Sequence, residues 1–275
     1  MLNIIKPNLQ ELKIICAKSK FISYRLEKNY LDYRIEYSNS NFKNCSYLIQ
    51  DEKKNFCLAL IFFDEKENKL NFYGHHSEIF FFGEISNNII EKFKDNLDVL
   101  KRTFEVDNIN LMIRDENLIN KKIFQKFRLI SQNNEIMIDL DNTLEEISKN
   151  FKPILRNELK KNYNEISYEV IDKNNYSSQD IIDMKKINEN IPTLEKRSLK
   201  TWLINEKWIL NNEAFLVKIV EKSETIGFSM FYFNNITCKY FASCIHTKFF
   251  KTYKNLQHLA IWKAIQHIKP FCKYF

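Results

Sequence analysis

The residues whose types and spacing best suit chemistry lie late in the chain, around the run YFASC (Tyr240–Cys244) and the stretch HTKFFKTYKN (His246–Asn255). His246 could take a proton from an attacking amine as a neutral imidazole, or be a surface or capping group. Tyr240 and Ser243 could hydrogen-bond a carbonyl or an acceptor, although strict strand alternation would send one of them into the core. Lys248, Lys251 and Lys254, with Tyr253 among them, crowd one loop ahead of a helix. That pattern suits the phosphates of a donor and equally suits a solvated loop. Arg156, Lys160 and Lys161 form a second basic group. Arg156 and Lys160 are four apart and share a helix face, which could meet an anionic substrate or be ordinary basic surface. His75 and His76 are adjacent, but a metal would need further ligands that the sequence does not supply, so no metal is expected.

The elements that must position these groups read clearly. AFLVKIV (Ala214–Val220), IGFSMFYF (Ile226–Phe233) and ITCKYFASC (Ile236–Cys244) are three strands of a meander. EKSET (Glu221–Thr225) is the first turn. Asn234-Asn235 is expected to make the second, because Asn tolerates positive φ. LQHLAIWKAIQHI (Leu256–Ile268) repeats its apolar residues near the helical period.

After Glu224 there is no acidic residue, while Lys239, Lys248, Lys251, Lys254, Lys263, Lys269 and Lys273 all follow it, so this segment holds the whole net charge of +7. The remainder is balanced. At 275 residues, with 44% hydrophobic and 28% charged, the composition is globular. With 3 glycines the chain has neither GxGxxG nor GxxxxGK[ST], which excludes a dinucleotide fingerprint and a P-loop. No apolar run reaches the roughly 18 residues of a membrane span, and no secretion signal is evident, so a cytoplasmic protein is expected. The 6 cysteines form no CxxC pair and are expected to be reduced, buried side chains.

In chain order, Asn8–Lys18 is expected to be a helix capped by Asn8. Asp32–Tyr37, Ser46–Gln50, Asn55–Phe63 and Lys69–Gly74 are expected to be strands. Ser86–Phe104 is a helix with Ser86 as its cap, Ile109–Ile113 a strand, and Asn117–Phe127 a helix. Phe80, Phe81 and Phe82 are core or interface residues. A seam follows at NEIMIDL (Asn134–Leu140). Thr143 and Glu146 then spell a capping box, and Pro153 should kink or divide the helix it opens. Ile166–Ile171 is a strand, and Ser177–Ile191 and Ser198–Leu210 are helices. The expected domains are 1–133 and 134–275, both α+β.

The segment IDLDNTLEEISKNFKPILRNELKKNYNEISYEVI resembles the opening of the second domain of FemAB-type acyltransferases. Asp139 and Leu140 fill its acidic strand, and Arg156, Leu159, Lys160 and Lys161 its basic helix. ENIPTLEKRS, the pair AFLVKIV/TIGFSMFYF, the strand YFASC and the helix LAIWKAIQHI follow in the family's order. Strand, strand, strand, basic loop, helix is also the order in which a GNAT-type enzyme builds its acyl-donor site. The resemblance implies tandem GNAT-like domains with mainly antiparallel central sheets flanked by helices. It further implies acyl or aminoacyl transfer from acyl-CoA or aminoacyl-tRNA, each a co-substrate rather than a bound cofactor. The acceptor would be an amino group of a cell-wall or surface-polysaccharide precursor. Two departures stand out: the loop KTYKNLQ has no glycine, and the chain stops at CKYF, where the family continues. The second domain is therefore expected to be incomplete at its C-terminus. The competing expectation is a degenerate, non-catalytic GNAT-like domain that binds a nucleic acid, tRNA included, or a nucleotide-linked partner through its basic half.

Overall fold

The computed structural model describes residues 2–16, 23–113, 137–160, 165–194, 196–250, 252–253 and 255–275. The chain forms two compact units, one of Met1–Ala17 with Arg34–Asn134, the other of Lys18–Tyr33 with Glu135–Phe275. Lys18–Tyr33, read from the sequence as part of the first domain, thus groups with the second unit.

In the first unit, β1 (Asn3–Ile5), β3 (Tyr47–Gln50), β4 (Phe56–Leu60), β7 (Ser77–Phe82) and β8 (Leu111–Ile113) make a five-stranded sheet in the order β1-β3-β4-β7-β8. Only the β7–β8 pair is parallel. β2 (Phe42–Asn44), β5 (Phe62–Asp64) and β6 (Lys69–Asn71) form a second, antiparallel sheet. Helix α1 (Leu9–Cys16) starts at Asn8, whose Oδ1 accepts from the Glu11 amide at 3.0 Å. Helix α3 (Asn87–Thr103), capped by Ser86, lays Ile89, Phe93 and Leu97 into the core with Ile49, Ala59 and Ile79. Two strand expectations are corrected: Asn55–Phe63 divides at Ile61 into β4 and β5, which belong to different sheets. Asp32–Tyr37 lies in a helix, α2 (Lys28–Ser38), which buries Tyr30, Leu31 and Tyr33. The alternation of polar and apolar residues in DYRIEY imitated a strand. The expected helix Asn117–Phe127 lies outside the described residues.

The second unit is built on β9 (Ile166–Ile171), β10 (Ala214–Glu221), β11 (Glu224–Phe233) and β12 (Cys238–Ile245), antiparallel in the order β12-β11-β10-β9. Helix α8 (Leu256–Ile268) covers one face, where Ala260, Ala264, Ile265 and Ile268 meet Phe215, Val217, Ile219 and Phe231. Its two buried alanines let the helix approach the sheet closely. Helices α6 (Ser178–Glu189) and α7 (Leu199–Leu210) lie on the sheet's other side. Ser177 and Asp180 form a capping box for α6, and Ser198 caps α7. The Thr143–Glu146 box opens α4 (Leu144–Lys149). Pro153 divides the run as expected and begins α5 (Pro153–Lys160), a position where its missing N–H costs nothing.

The two turns of the meander exchange their expected roles. Lys222 and Ser223 take positive φ, 45° and 76°, in the tight β10–β11 turn. Asn234 instead uses its side chain: Oδ1 accepts from the Ile236 and Thr237 amides, both at 2.9 Å. The last residues are stitched into the same unit. Ile138 and Phe275 exchange backbone bonds of 2.8 and 2.9 Å, and the Cys238 amide donates to the Tyr274 carbonyl at 2.8 Å. Overall this is an α+β fold of open, mainly antiparallel sheets flanked by helices.

Candidate functional site

The polar group that the structure assembles best depends on a break in strand alternation. On β12 the register moves from Met230↔Ala242 to Phe231↔Tyr240, so Phe241 is the extra residue of a β-bulge. Tyr240 and Ser243 are three apart and would face opposite sides of a regular strand. The bulge turns both toward the α8 face. The Tyr240 Oη donates to Ser243 Oγ at 2.6 Å, and Gln257 Nε2, in the first turn of α8, donates to Tyr240 Oη. Tyr240 is 37% exposed, so the group opens to solvent. Burial of the rest of the ring, foremost among the causes, holds the Tyr240 phenol above its ordinary range. It is therefore a neutral hydrogen-bond donor at physiological pH.

The bulge has its own support. Phe241 packs against Tyr33 and Trp208, with ring centroids 5.1 and 5.0 Å apart. Trp208 also meets Tyr232 edge-on at 4.9 Å. Gly227 sits opposite Ile245 because a Cβ there would lie 2.8 Å from the Cys244 carbonyl oxygen and 2.8 Å from Ile245 Cγ1.

The loop after β12 is arranged differently. The His246 amide donates to the Ile226 carbonyl at 2.9 Å, and its ring lies 6.5 Å from that of Phe249. No hydrogen bond among the described residues joins the imidazole to Tyr240 or Ser243. Lys248 pairs with Glu224 at 3.0 Å and lies 4.6 Å from the centre of the Phe249 ring. The Tyr253 hydroxyl reaches Glu221 and, at 3.2 Å, Glu165. These carboxylates, Glu221 foremost, push its phenol well up. Glu165 also pairs with Lys222 at 2.9 Å. Asn255 begins α8 with φ 68° and makes no side-chain cap. Lys251 and Lys254 lie outside the described residues.

On α5, Arg156 is half-buried and Nη1 reaches the Lys149 carbonyl at 3.5 Å, while Lys160 is exposed. Lys161 lies outside the described residues. A cation that sequence reasoning passed over is held more firmly. Arg197 Nη1 donates to Tyr33 Oη at 3.1 Å and to Asn205 Oδ1 at 3.0 Å, and the guanidinium carbon lies 3.5 Å from the Trp202 ring centroid. Gln257 was passed over as well, and its place in the first turn of a helix behind a strand was the only signal. Among the described residues no three His, Cys, Asp or Glu side chains stand together as a metal site.

No family model matches the chain, and no curated protein matches it. Solved structures do. FemX is similar over 99% of this chain and 87% of its own, with a TM-score of 0.61 at 8% identity. A tandem GNAT protein from the clavulanic acid biosynthesis pathway is similar over 100% of this chain and 88% of its own, with a TM-score of 0.51 at 8% identity. The chain thus shares the fold of FemX and of a tandem GNAT protein. No described helix is long and apolar enough to cross a membrane.

Proposed function

We propose that the chain is an acyltransferase of the GNAT/Fem type. It would move an acyl or aminoacyl group from acyl-CoA or aminoacyl-tRNA to an amino group of a cell-wall or surface-polysaccharide precursor. The observation that carries this reading is the hydrogen-bonded series Gln257–Tyr240–Ser243, set where the bulged strand meets the start of α8. The likeness to FemX supports it, and the likeness to a tandem GNAT protein described without AcCoA keeps acyl-CoA among the donors.

The chemistry is direct attack. The amine nitrogen bonds to the thioester or ester carbon as the carbonyl electron pair moves onto oxygen. Collapse then expels the thiolate or ribose oxygen, which takes up the proton the amine gives away. The protein's part is to orient the two partners and donate hydrogen bonds to the developing oxyanion. The Ser243 hydroxyl suits that role, the neutral Tyr240 phenol donates to it and so holds it in place, and His246 is the residue proposed to relay the amine's proton. Lys248, Lys251 and Lys254 are proposed for the donor's phosphates, with Tyr253 anchoring their loop to the β10–β11 turn. Arg156, Lys160 and Lys161 are proposed to meet the anionic part of the acceptor.

The test is transfer by the purified chain from acetyl-CoA and from aminoacyl-tRNA to nucleotide-linked, amine-bearing precursors, read as a mass increase of the acceptor. A donor present at about a hundred times its dissociation constant should also stabilise the fold by roughly 2.7 kcal/mol. Salt-sensitive tRNA binding without transfer from either donor would overturn the enzymatic reading in favour of a non-catalytic nucleic-acid-binding domain.

A further inference from the structure

We propose that Ser229 is a positioning residue of this site, acting through Ser243; the inference rests on the acyl-transfer reading above. Ser229 stands on β11 directly opposite Ser243 of β12. Residues paired in this way share a face and place their Cβ atoms about 4.5–5.5 Å apart. Ser229 is fully buried, and its Oγ has no hydrogen-bond partner among the described residues. Its opposite neighbour on the other side is Val217, a core residue with nothing to offer a hydroxyl. The polar neighbour in register is Ser243.

Proton counting gives the pair a direction. A serine oxygen has two lone pairs and one proton. Tyr240 already donates to one lone pair of Ser243. A rotation of Ser229 about χ1 lets it donate to the other, which removes the cost of an unpaired buried hydroxyl. With both lone pairs filled from within the protein, the remaining proton of Ser243 points outward, to the side that half-exposed Tyr240 shares with solvent. Two incoming hydrogen bonds also polarise that O–H and strengthen it as a donor. Ser243 thereby becomes the hydroxyl offered to the acyl oxygen, and Ser229 fixes its direction. In the opposite arrangement Ser243 donates inward to Ser229, and its proton is lost to the substrate.

Four proteins test this: wild type, Ser229→Ala, Ser243→Ala and the double variant. Urea unfolding needs no substrate and decides the contact. The two substitutions should be non-additive by about fivefold in the unfolding constant, whereas additivity within about twofold overturns the link. Transfer kinetics decide the role. Ser229→Ala should lower kcat about fivefold at unchanged KM in the wild-type background and have no further effect in Ser243→Ala. An unchanged or raised kcat in Ser229→Ala, or an equal loss in both backgrounds, overturns it. A wild-type chain that transfers from no donor removes the acyl-transfer reading, while the unfolding cycle still decides whether the serines are bonded.

Discussion

The end of β12 and the loop that follows it are neighbours in sequence and opposites in arrangement. The strand gathers neutral groups, Tyr240, Ser243 and Gln257, into one hydrogen-bonded series that opens to solvent. The loop carries the charges that dominate the sequence, yet its described members are occupied by acidic partners: Lys248 by Glu224, and Tyr253 by Glu221 and Glu165. A count of lysines says how much charge a segment holds. It says nothing of which carboxylates the fold brings beside them, and here the β10–β11 turn supplies Glu221 and Glu224, and the residue ahead of β9 supplies Glu165. Neutral donors on a bulged strand are therefore better prepared for a developing oxyanion than Lys248 is for a phosphate.

The strongest way to break this contrast is to remove what holds the bulge. Trp208→Ala should cost about 3–5 kcal/mol in urea unfolding, because the ring is fully buried and backs Phe241. Transfer should fall with it, even at temperatures where the variant remains folded. Tyr240→Phe takes away the donor that orients the Ser243 hydroxyl and should lower kcat about a hundredfold, with circular dichroism unchanged. If Lys248→Ala lowers transfer more than Tyr240→Phe does, the contrast between the two regions is reversed.

Gly227→Ala acts on the seam between the two regions, opposite Ile245. The added methyl meets the Cys244 carbonyl as well as the Ile245 side chain, and about 1–3 kcal/mol of stability should be lost. The loop's own signature is its alkaline behaviour. Bonding to Glu221 raises the folded pKa of Tyr253. Its contribution is thus fully present below the unfolded value of about 10 and lost as pH rises toward the folded one. Tyr253→Phe should flatten the fall of melting temperature above pH 10. The smallest effect is expected from Lys248→Ala on stability. Both partners of its ion pair are well exposed, and the change in unfolding free energy should stay below about 1 kcal/mol.

Much of the second unit was legible in the sequence, since its signals are local. β9 spans Ile166–Ile171 as read, the Thr143–Glu146 box forms, and Pro153 divides its helix. Each follows from groups within a few residues of one another. The misreadings were also local, in that one pattern can serve two structures. DYRIEY alternates like a strand and folds as a helix. Asn234-Asn235 looks like a positive-φ turn, but Asn234 satisfies its loop through a side-chain oxygen, and Lys222-Ser223 take the positive φ.

By itself the sequence determined an α+β chain whose net charge is confined to the segment after Glu224, with a three-strand meander leading into an amphipathic helix. Only the tertiary structure decided which residues of that segment face one another. A bulge shifts register by one residue, and a shift of one residue exchanges the faces of a strand, so no count of period two could bring Tyr240 and Ser243 together. The same holds for Gln257 and Arg197, whose partners stand on other elements, and for Ser229, buried opposite Ser243: burial and pairing across a sheet are properties of the folded chain.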